Sequence, residues 1–346
     1  SLVGSEMCIR DSNTTDMYTV GPTLPEVLGT TQPKGNYADL KTKGWELTLS
    51  WRDNFKLAGS DFHYGVKLML WDSQSWITKY NNATGKLSDY YEGYRIGDIW
   101  GYNIEGLFTS YDEIANHADQ DYMKISDSKI WQPGDLKFAD LNGDGKIDKG
   151  AQTLSDHGDL VIVGNEEERY HYGFNLNVGW KGIGISAFFQ GVGKRDWYPG
   201  QETGFFWGKY NRPYGYSLKM HENRWTEENP NPNAYWPRLV GYSSENGGRP
   251  MGTPNNRYMQ DASYLRLKAL TVDYSLPQAW VSKLGLTGLK IYFTGENLFT
   301  FSNVCENFDP EVIKGGDVDL KDRKGEEQGY SYPMLKTYTV GLNVSF

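Results

Sequence analysis

Tyr170-His171-Tyr172-Gly173-Phe174-Asn175-Leu176-Asn177-Val178-Gly179-Trp180-Lys181-Gly182-Ile183-Gly184-Ile185-Ser186-Ala187-Phe188-Phe189-Gln190 is the stretch that decides the fold. Its first half alternates without a break. Tyr172, Phe174, Leu176, Val178 and Trp180 fall on one side of an extended chain, and His171, Gly173, Asn175, Asn177 and Gly179 on the other. A two-residue turn at Lys181-Gly182 then sets Trp180 against Ile183, Val178 against Ile185, Leu176 against Ala187 and Phe174 against Phe189. One face of the expected hairpin is wholly apolar. The other pairs Gly179 with Gly184, Asn177 with Ser186 and Gly173 with Gln190, a small polar surface suited to water rather than to a dry core.

The same alternation recurs on both sides of this stretch. Trp45, Leu47, Leu49 and Trp51 answer to Phe62, Tyr64, Val66, Leu68 and Leu70, through a short polar connection at Asp53 and Gly59-Ser60. Later come Tyr264-Leu265-Arg266-Leu267-Lys268, a phase slip near Ala269 and Leu270 that a bulge would explain, then Val272 and Tyr274 in the other register. After a short connection with a helical turn in 277–286 follow Leu289, Ile291 and Phe293, and finally Tyr338, Val340, Leu342, Val344 and Phe346. Between these runs the period is lost over 72–168, 191–260 and 299–334. Short connections at one end and long loops at the other are the asymmetry of an outer-membrane barrel. A soluble β-sandwich also alternates, but these strands run to about 10 residues against the ~5 to 6 usual in soluble sheets. The expected class is therefore all-β, an antiparallel transmembrane β-barrel.

The totals agree with that class. The 346 residues are 15% aromatic, yet mean hydropathy is −0.64, so the apolar residues are spread thinly and periodically. No run approaches the roughly 18 apolar residues of a spanning helix, a limit that does not touch barrel strands. A net charge of −9 without clustered Lys and Arg speaks against nucleic acid as a partner. Cys8 and Cys305 make no disulfide framework. The five histidines show no metal spacing, and neither a nucleophile elbow nor a phosphate loop is present, so no enzyme and no organic cofactor are expected. Glu166-Glu167-Glu168 reads as a solvated strand entrance.

Ahead of the hairpin lies an acidic loop, Asp140-Leu141-Asn142-Gly143-Asp144-Gly145-Lys146-Ile147-Asp148. The spacing is that of the start of a calcium loop: Asp140, Asn142 and Asp144 offer side-chain oxygens, Lys146 its carbonyl and Asp148 a further oxygen, while Gly145 permits the turn. Ala151 stands where a bidentate Glu would complete the set and no amphipathic helix precedes, so this is not an EF-hand; Asp156 or Asp159 would have to supply the missing ligand. The alternative is a solvated Asp/Asn/Gly turn. A bound Ca2+ would brace the loop rather than catalyse.

Residues 1–12, Ser-Leu-Val-Gly-Ser-Glu-Met-Cys-Ile-Arg-Asp-Ser, fit neither a signal peptide nor a patterned strand. They resemble a translated sequencing-adapter peptide, and are expected to be a non-native artefact replacing true sequence, with 13–346 the protein proper.

Several blocks, in order, resemble the C-terminal part of SusC/RagA-type TonB-dependent outer-membrane transporters. They are Lys43-Gly44-Trp45-Glu46-Leu47, Ile99-Trp100-Gly101-Tyr102 with Gly106-Leu107-Phe108, Asp140 to Asp148, Ile162-Val163-Gly164-Asn165, Phe188-Phe189-Gln190-Gly191, Arg224-Trp225-Thr226-Glu227-Glu228-Asn229-Pro230, Tyr264 to Lys268, Gly295-Glu296-Asn297-Leu298-Phe299-Thr300, Phe308-Asp309-Pro310-Glu311 and the terminal strand. The resemblance implies the C-terminal portion of a plugged barrel of about 22 strands in the bacterial outer membrane. It further implies import of a glycan or oligopeptide, a SusD-like lipoprotein lid, surrounding outer-membrane lipids, and a TonB complex reached through an N-terminal part missing from this chain. Roughly seven to ten strands are visible here.

Against that frame the loop tryptophans Trp197, Trp207, Trp225 and Trp236 are candidates for contact with substrate or lid, although for any one of them packing on neighbours is the plainer reading. Outward Trp45, Trp51, Tyr170 and Trp180 are girdle candidates. Tyr338 to Phe346 resembles the terminal strand by which the outer-membrane assembly machinery recognises its clients.

Overall fold

The computed structural model describes residues 2–20, 34–124, 130–200, 203–211, 215–240, 249–313 and 331–346. Residues 314–330 of the expected loop 299–334 lie outside these, as do 125–129, 201–202, 212–214 and 241–248 of the other two loops.

An extended chain must pair its backbone N–H and C=O groups with a neighbour, and here it does so strand by strand. The wall begins with β1 (Leu2–Val20), β2 (Lys34–Leu57) and β3 (Ser60–Tyr80). A first excursion carries β4 (Asp98–Gly101), β5 (Ile104–Leu107), β6 (Leu136–Phe138) and β7 (Val161–Asn165). The wall resumes with β8 (Arg169–Trp180) and β9 (Ile183–Lys194). A second excursion holds β10 (Asp196–Trp197) and β11 (Gln260–Asp261), and β12 (Tyr264–Ser275), β13 (Gly288–Ser302) and β14 (Thr337–Ser345) complete the wall. The eight long strands form one antiparallel sheet in chain order, β1-β2-β3-β8-β9-β12-β13-β14. The excursions all leave from the same end.

The hairpin register is the one the sequence predicts: Trp180 pairs with Ile183, Val178 with Ile185, Leu176 with Ala187 and Phe174 with Phe189. Lys181 and Gly182 both have positive φ, 50° and 83°, as a primed two-residue turn requires. The turn between β2 and β3 is equally tight, at Ala58 and Gly59 (φ 49° and 77°), so the polar residues from Asp53 belong to the strand rather than to the connection. The phase slip in β12 is a register shift between Leu267 and Ala269 against both neighbours. Between β12 and β13 lies the expected helical turn, α1 (Gln278–Val281).

Three boundaries differ from the sequence reading. β2 starts nine residues before Lys43, β3 continues past residue 72 to Tyr80, and β13 runs on to Ser302. Where water lies on both sides, ladder pairing continues without apolar alternation, so the period that marks the lipid-facing part understates the strand. Residues 2–12 are also strand, although they read as unpatterned. Val3, Met7 and Ile9 stand opposite Trp51, Leu47 and Trp45 in an edge strand held by backbone pairing on one side.

The sheet's own buried cluster is small, Ala187, Leu267 and Leu298 with Leu176, Phe189 and Leu270 packed against them. Leu49, Trp51, Ile185, Val272, Phe293 and Val340 are all exposed. Among the described residues the other sheets are three two-stranded pairs in the excursions, so no second sheet packs on the first and the sandwich alternative falls. The large core lies in the loops, built from Met123, Leu136, Phe138, Trp207, Trp236, Tyr258 and their neighbours. No described helix is long and apolar enough to cross a membrane.

Candidate functional site: a two-faced wall and its loop cap

Pairing carries each residue's face across the whole sheet. Tyr64, Val178, Ile185, Val272, Phe293 and Val340 form one continuous apolar row, and Phe62, Trp180, Ile183, Tyr274, Ile291 and Leu342 the next. The rows between them point the other way. One is Gly65, Asn177, Ser186, Thr271, Thr294 and Thr339; the other is His63, Gly179, Gly184, Asp273, Tyr292 and Gly341. Thr271 and Thr294 share a hydrogen bond of 2.9 Å, and Lys290 reaches Asp273 at 3.1 Å. The glycines in the second row have a steric reason. A Cβ at Gly179 would stand 2.0 Å from the His63 ring, one at Gly184 2.5 Å from the Asp273 carboxylate, and one at Gly341 2.3 Å from the Tyr292 ring. Each large side chain thus lies flat over a neighbouring glycine, leaving an open polar hollow of about 450 Å³ beside His63, Asp273 and Lys290.

The girdle candidates differ in exposure. Trp51 and Tyr170 are exposed; Trp51 Nε1 donates to the Tyr64 hydroxyl (3.1 Å) and Trp180 Nε1 to the Leu57 carbonyl (3.2 Å). Trp45 is half-buried.

At the bulge the wall acquires charge. Arg266, only 3% exposed, donates to Asp309 Oδ1 (2.6 Å), to Glu311 and to the Thr300 hydroxyl, and Lys268 donates to Glu311 Oε1 (2.8 Å). The extra residue brings both cations to one loop. In the sequence Phe308-Asp309-Pro310-Glu311 stands out only through its family resemblance. Its partner, a strand arginine on the polar face, was the available signal.

Above the wall the excursions fold on one another into a cap. Arg238 grips Asp135 through two bonds of 3.0 Å, the Asn256 side chain accepts from Ile104 N (2.8 Å), and the Pro254 carbonyl accepts from Tyr102 N (2.9 Å). Glycines allow the approach: a Cβ at Gly101 would meet Pro254 O at 2.1 Å, and one at Gly134 the Trp225 ring at 2.3 Å. The four candidate tryptophans are inside this cap. Trp197, Trp207, Trp225 and Trp236 are 1%, 0%, 7% and 0% exposed, packed with Phe206, Tyr210, Tyr258 and Phe308. Trp236 stacks on Tyr210 (5.1 Å) and Tyr258 (5.3 Å), and its Nε1 donates to the Met220 carbonyl (2.9 Å). With the rings covered, these residues shape the cap; a ligand or lid would meet the surface above them. His221 sits in the same core. Leu218 N–H donates to its Nδ1 (2.9 Å) and its Nε2 donates to the Phe206 carbonyl (2.8 Å), a neutral imidazole whose pKa burial pushes down.

The acidic loop closes on itself. Asp140 accepts from Gly143 N (2.7 Å) and Gly145 N (2.9 Å), Asn142 from Asp144 N (2.9 Å), Asp144 from Lys146 N (2.8 Å) and Asp148 from Gly150 N (2.7 Å). Asp159, the suggested extra ligand, accepts instead from Leu141 N and Asp148 N, and Asp156 from Ala151 N. Ile147, fully buried, pins the loop to the cap core. Among the described residues no group of three His, Cys, Asp or Glu side chains is placed to hold a metal ion; calcium at this loop would also draw on the Asn142 side chain and the Lys146 carbonyl.

At the far edge Tyr338 of β14 pairs with Gly295 of β13 and is 64% exposed, and Phe346 lies just past the strand at 91%.

No family model matches the chain. Among characterised proteins, TonB-dependent receptor P3 of Formosa agariphila is 26% identical over 338 residues, covering 93% of this chain and 30% of the receptor. TonB-dependent receptor P26 of the same organism is 28% identical over 336 residues, covering 94% and 31%. The chain therefore spans about a third of the length of these relatives. Among solved structures, that of the RagAB peptide transporter superposes with a TM-score of 0.69 at 20% identity, covering 99% of this chain and 33% of that one. The RagAB peptide importer in its open-open state gives 0.66 at 19%. At such identity the structural likeness carries the fold, a partial transporter barrel. These relatives are receptors and transporters, not enzymes.

Proposed function

We propose that this chain, a homologue of the TonB-dependent receptors of the outer membrane, forms part of the wall and the surface cap of a transporter that imports a nutrient with energy passed through TonB. The single observation that carries this reading is the continuous eight-stranded sheet whose apolar rows face out and whose Gly, Asn, Ser and Thr rows face in. An outward apolar band about 25 Å tall is what a bilayer selects, and a polar inner face is what a solute pathway needs. An isolated arc would leave the outer edges of β1 and β14 unpaired in hydrocarbon. The remaining strands must therefore come from the rest of a longer protein, which on this reading also supplies the plug and the segment that TonB contacts. The cap gives a SusD-like lipoprotein a rigid surface to close upon. A peptide cargo is favoured over a glycan by the likeness to a peptide transporter.

The full-length protein tests this. It should fractionate with the outer membrane, require detergent for extraction and migrate as a heat-modifiable barrel. Uptake of labelled oligopeptides by cells carrying it should vanish when TonB is deleted. Recovery in the soluble fraction, or uptake that persists without TonB, overturns the reading.

A further inference from the structure

The inner face is small and polar over most of its height, and among the large side chains it does carry, two are stacked on each other. Trp71 of β3 and His171 of β8 are directly paired across the strands, and their rings stack with centroids 5.0 Å apart and planes within 3°. Alternation puts both on the inner face, one step above Met69 and Gly173. The indole is 38% exposed, so it serves no core. Carboxylates flank it. Glu46 of β2 is Trp71's other cross-strand partner, with a side chain 55% exposed and Arg10 of β1 at 3.8 Å, and Glu168 lies 3.8 Å from His171 Nδ1 while pairing with Arg195 at 3.0 Å. The place is also strategic: Ile96 N–H donates to the Ser75 carbonyl (3.0 Å), so the first excursion rejoins β3 just above Trp71. The shelf therefore lies at the mouth of the lumen, beneath the cap.

We propose that Trp71, stacked on His171 and flanked by Glu46, is a contact site for a cationic side chain of the cargo, the guanidinium of an arginine-containing peptide. A guanidinium is planar and weakly hydrated; it stacks on an indole face while its N–H groups reach a carboxylate at the ring's edge. A neutral sugar could use the ring but gains little from Glu46, whose 3.8 Å contact with Arg10 is long and solvent-exposed and leaves the carboxylate open to a better-placed cation. His171 buttresses the indole from behind and fixes its plane. The inference rests on the import reading and names the cargo class for it.

The test uses the full-length receptor in detergent, titrated calorimetrically with the pentapeptide Gly-Gly-Arg-Gly-Gly, its citrulline analogue and maltopentaose. The arginine peptide should bind about tenfold more tightly than the citrulline peptide, with the gap narrowing as salt is raised. Trp71→Ala should weaken the arginine peptide about tenfold, and Glu46→Gln, at an exposed position that leaves the fold intact, about threefold. Trp280→Ala, in the short connection at the opposite end of the wall, should change nothing. Equal affinity for the two peptides, no binding of either, or maltopentaose binding that Trp71→Ala abolishes would each overturn the proposal. A receptor that inserts and imports yet fails to discriminate the peptides sinks this inference alone, whereas one that does not insert sinks the import reading.

Discussion

Replacing Arg266 by Met should release the loop after β13 from the wall. The guanidinium is buried at 3% exposure and supplies the charge that balances Asp309, whose side chain is 8% exposed. Glu311 keeps Lys268 at 2.8 Å. The substitution thus strands one carboxylate rather than two. Leaving one buried charge unpaired costs about 3–5 kcal/mol, and the two backbone amides that Asp309 also accepts, from Glu311 and Met334, place the expected loss near the lower end, about 3 kcal/mol. A local opening equilibrium shifted by that much rises roughly a hundredfold, since about 1.4 kcal/mol is a factor of ten. Native-state proteolysis reads it directly, because cleavage within 303–313 tracks the population of the open loop when reclosing is fast. The double variant R266M/D309N removes the stranded charge and should recover most of the protection. If R266M is cleaved no faster than wild type, or if the double variant is cleaved as fast as R266M, unpaired charge is not what holds the loop.

The remaining expectations concern the cap, the wall and the terminal strand. Burial holds the His221 pKa below its ordinary value of 6.5, so the unfolded cap binds the proton more readily; cap stability is full above about pH 6.5 and falls as pH drops through that value toward the folded one. Hydrogen exchange in the cap at stepped pH should show this, and His221→Gln should flatten the profile. Gly179→Val would drive a side chain into the His63 ring, where a Cβ already comes to 2.0 Å, and should destabilise the assembled barrel by about 1–3 kcal/mol in detergent unfolding, with His63→Ser recovering most of it. We propose that Asp140 to Asp148 holds a calcium ion that braces the loop: the carboxylates that accept backbone amides keep lone pairs for a cation, so chelation should lower the thermal midpoint and added calcium restore it, and an unmoved midpoint removes the ion. Deleting Phe346, which no strand holds, should block assembly of the full-length barrel if the terminal strand is the assembly signal; normal yields of heat-modifiable barrel would remove that role.

The wall was legible because its information is local. Each strand position needs only a class of side chain, apolar outward or small and polar inward, and a turn of two residues with positive φ then fixes the partners of Trp180, Val178, Leu176 and Phe174 without reference to the rest of the chain. Even the bulge at Lys268 announced itself as a slip in phase. The cap was not legible for the opposite reason. Nothing near Trp207 in sequence says that it will meet Tyr258, or that Arg238 will find Asp135 more than a hundred residues away. A loop rich in Trp reads the same whether its rings face a ligand or one another. Residues 2–12 failed differently, since an edge strand asks almost nothing of its side chains; that they are non-native remains a proposal, which resequencing across the locus decides.

A surface governed by so simple a rule makes its exceptions informative. Large side chains on the inner face have to be accommodated, and most are: His63, Asp273 and Tyr292 each lie over a glycine that their strand neighbour gives up for the purpose. Arg266 is accommodated by charge, folded into Asp309 and Glu311 where it joins loop to wall. Trp71 is not laid over a glycine; it is stacked on His171 and stays 38% exposed. An indole whose plane a stacked neighbour fixes offers apolar surface that nothing in the wall's own pairing uses. The Trp71–His171 shelf is therefore where selectivity for cargo is best sought first, and the loop tryptophans, buried in the cap, would answer to a ligand through the surface above them.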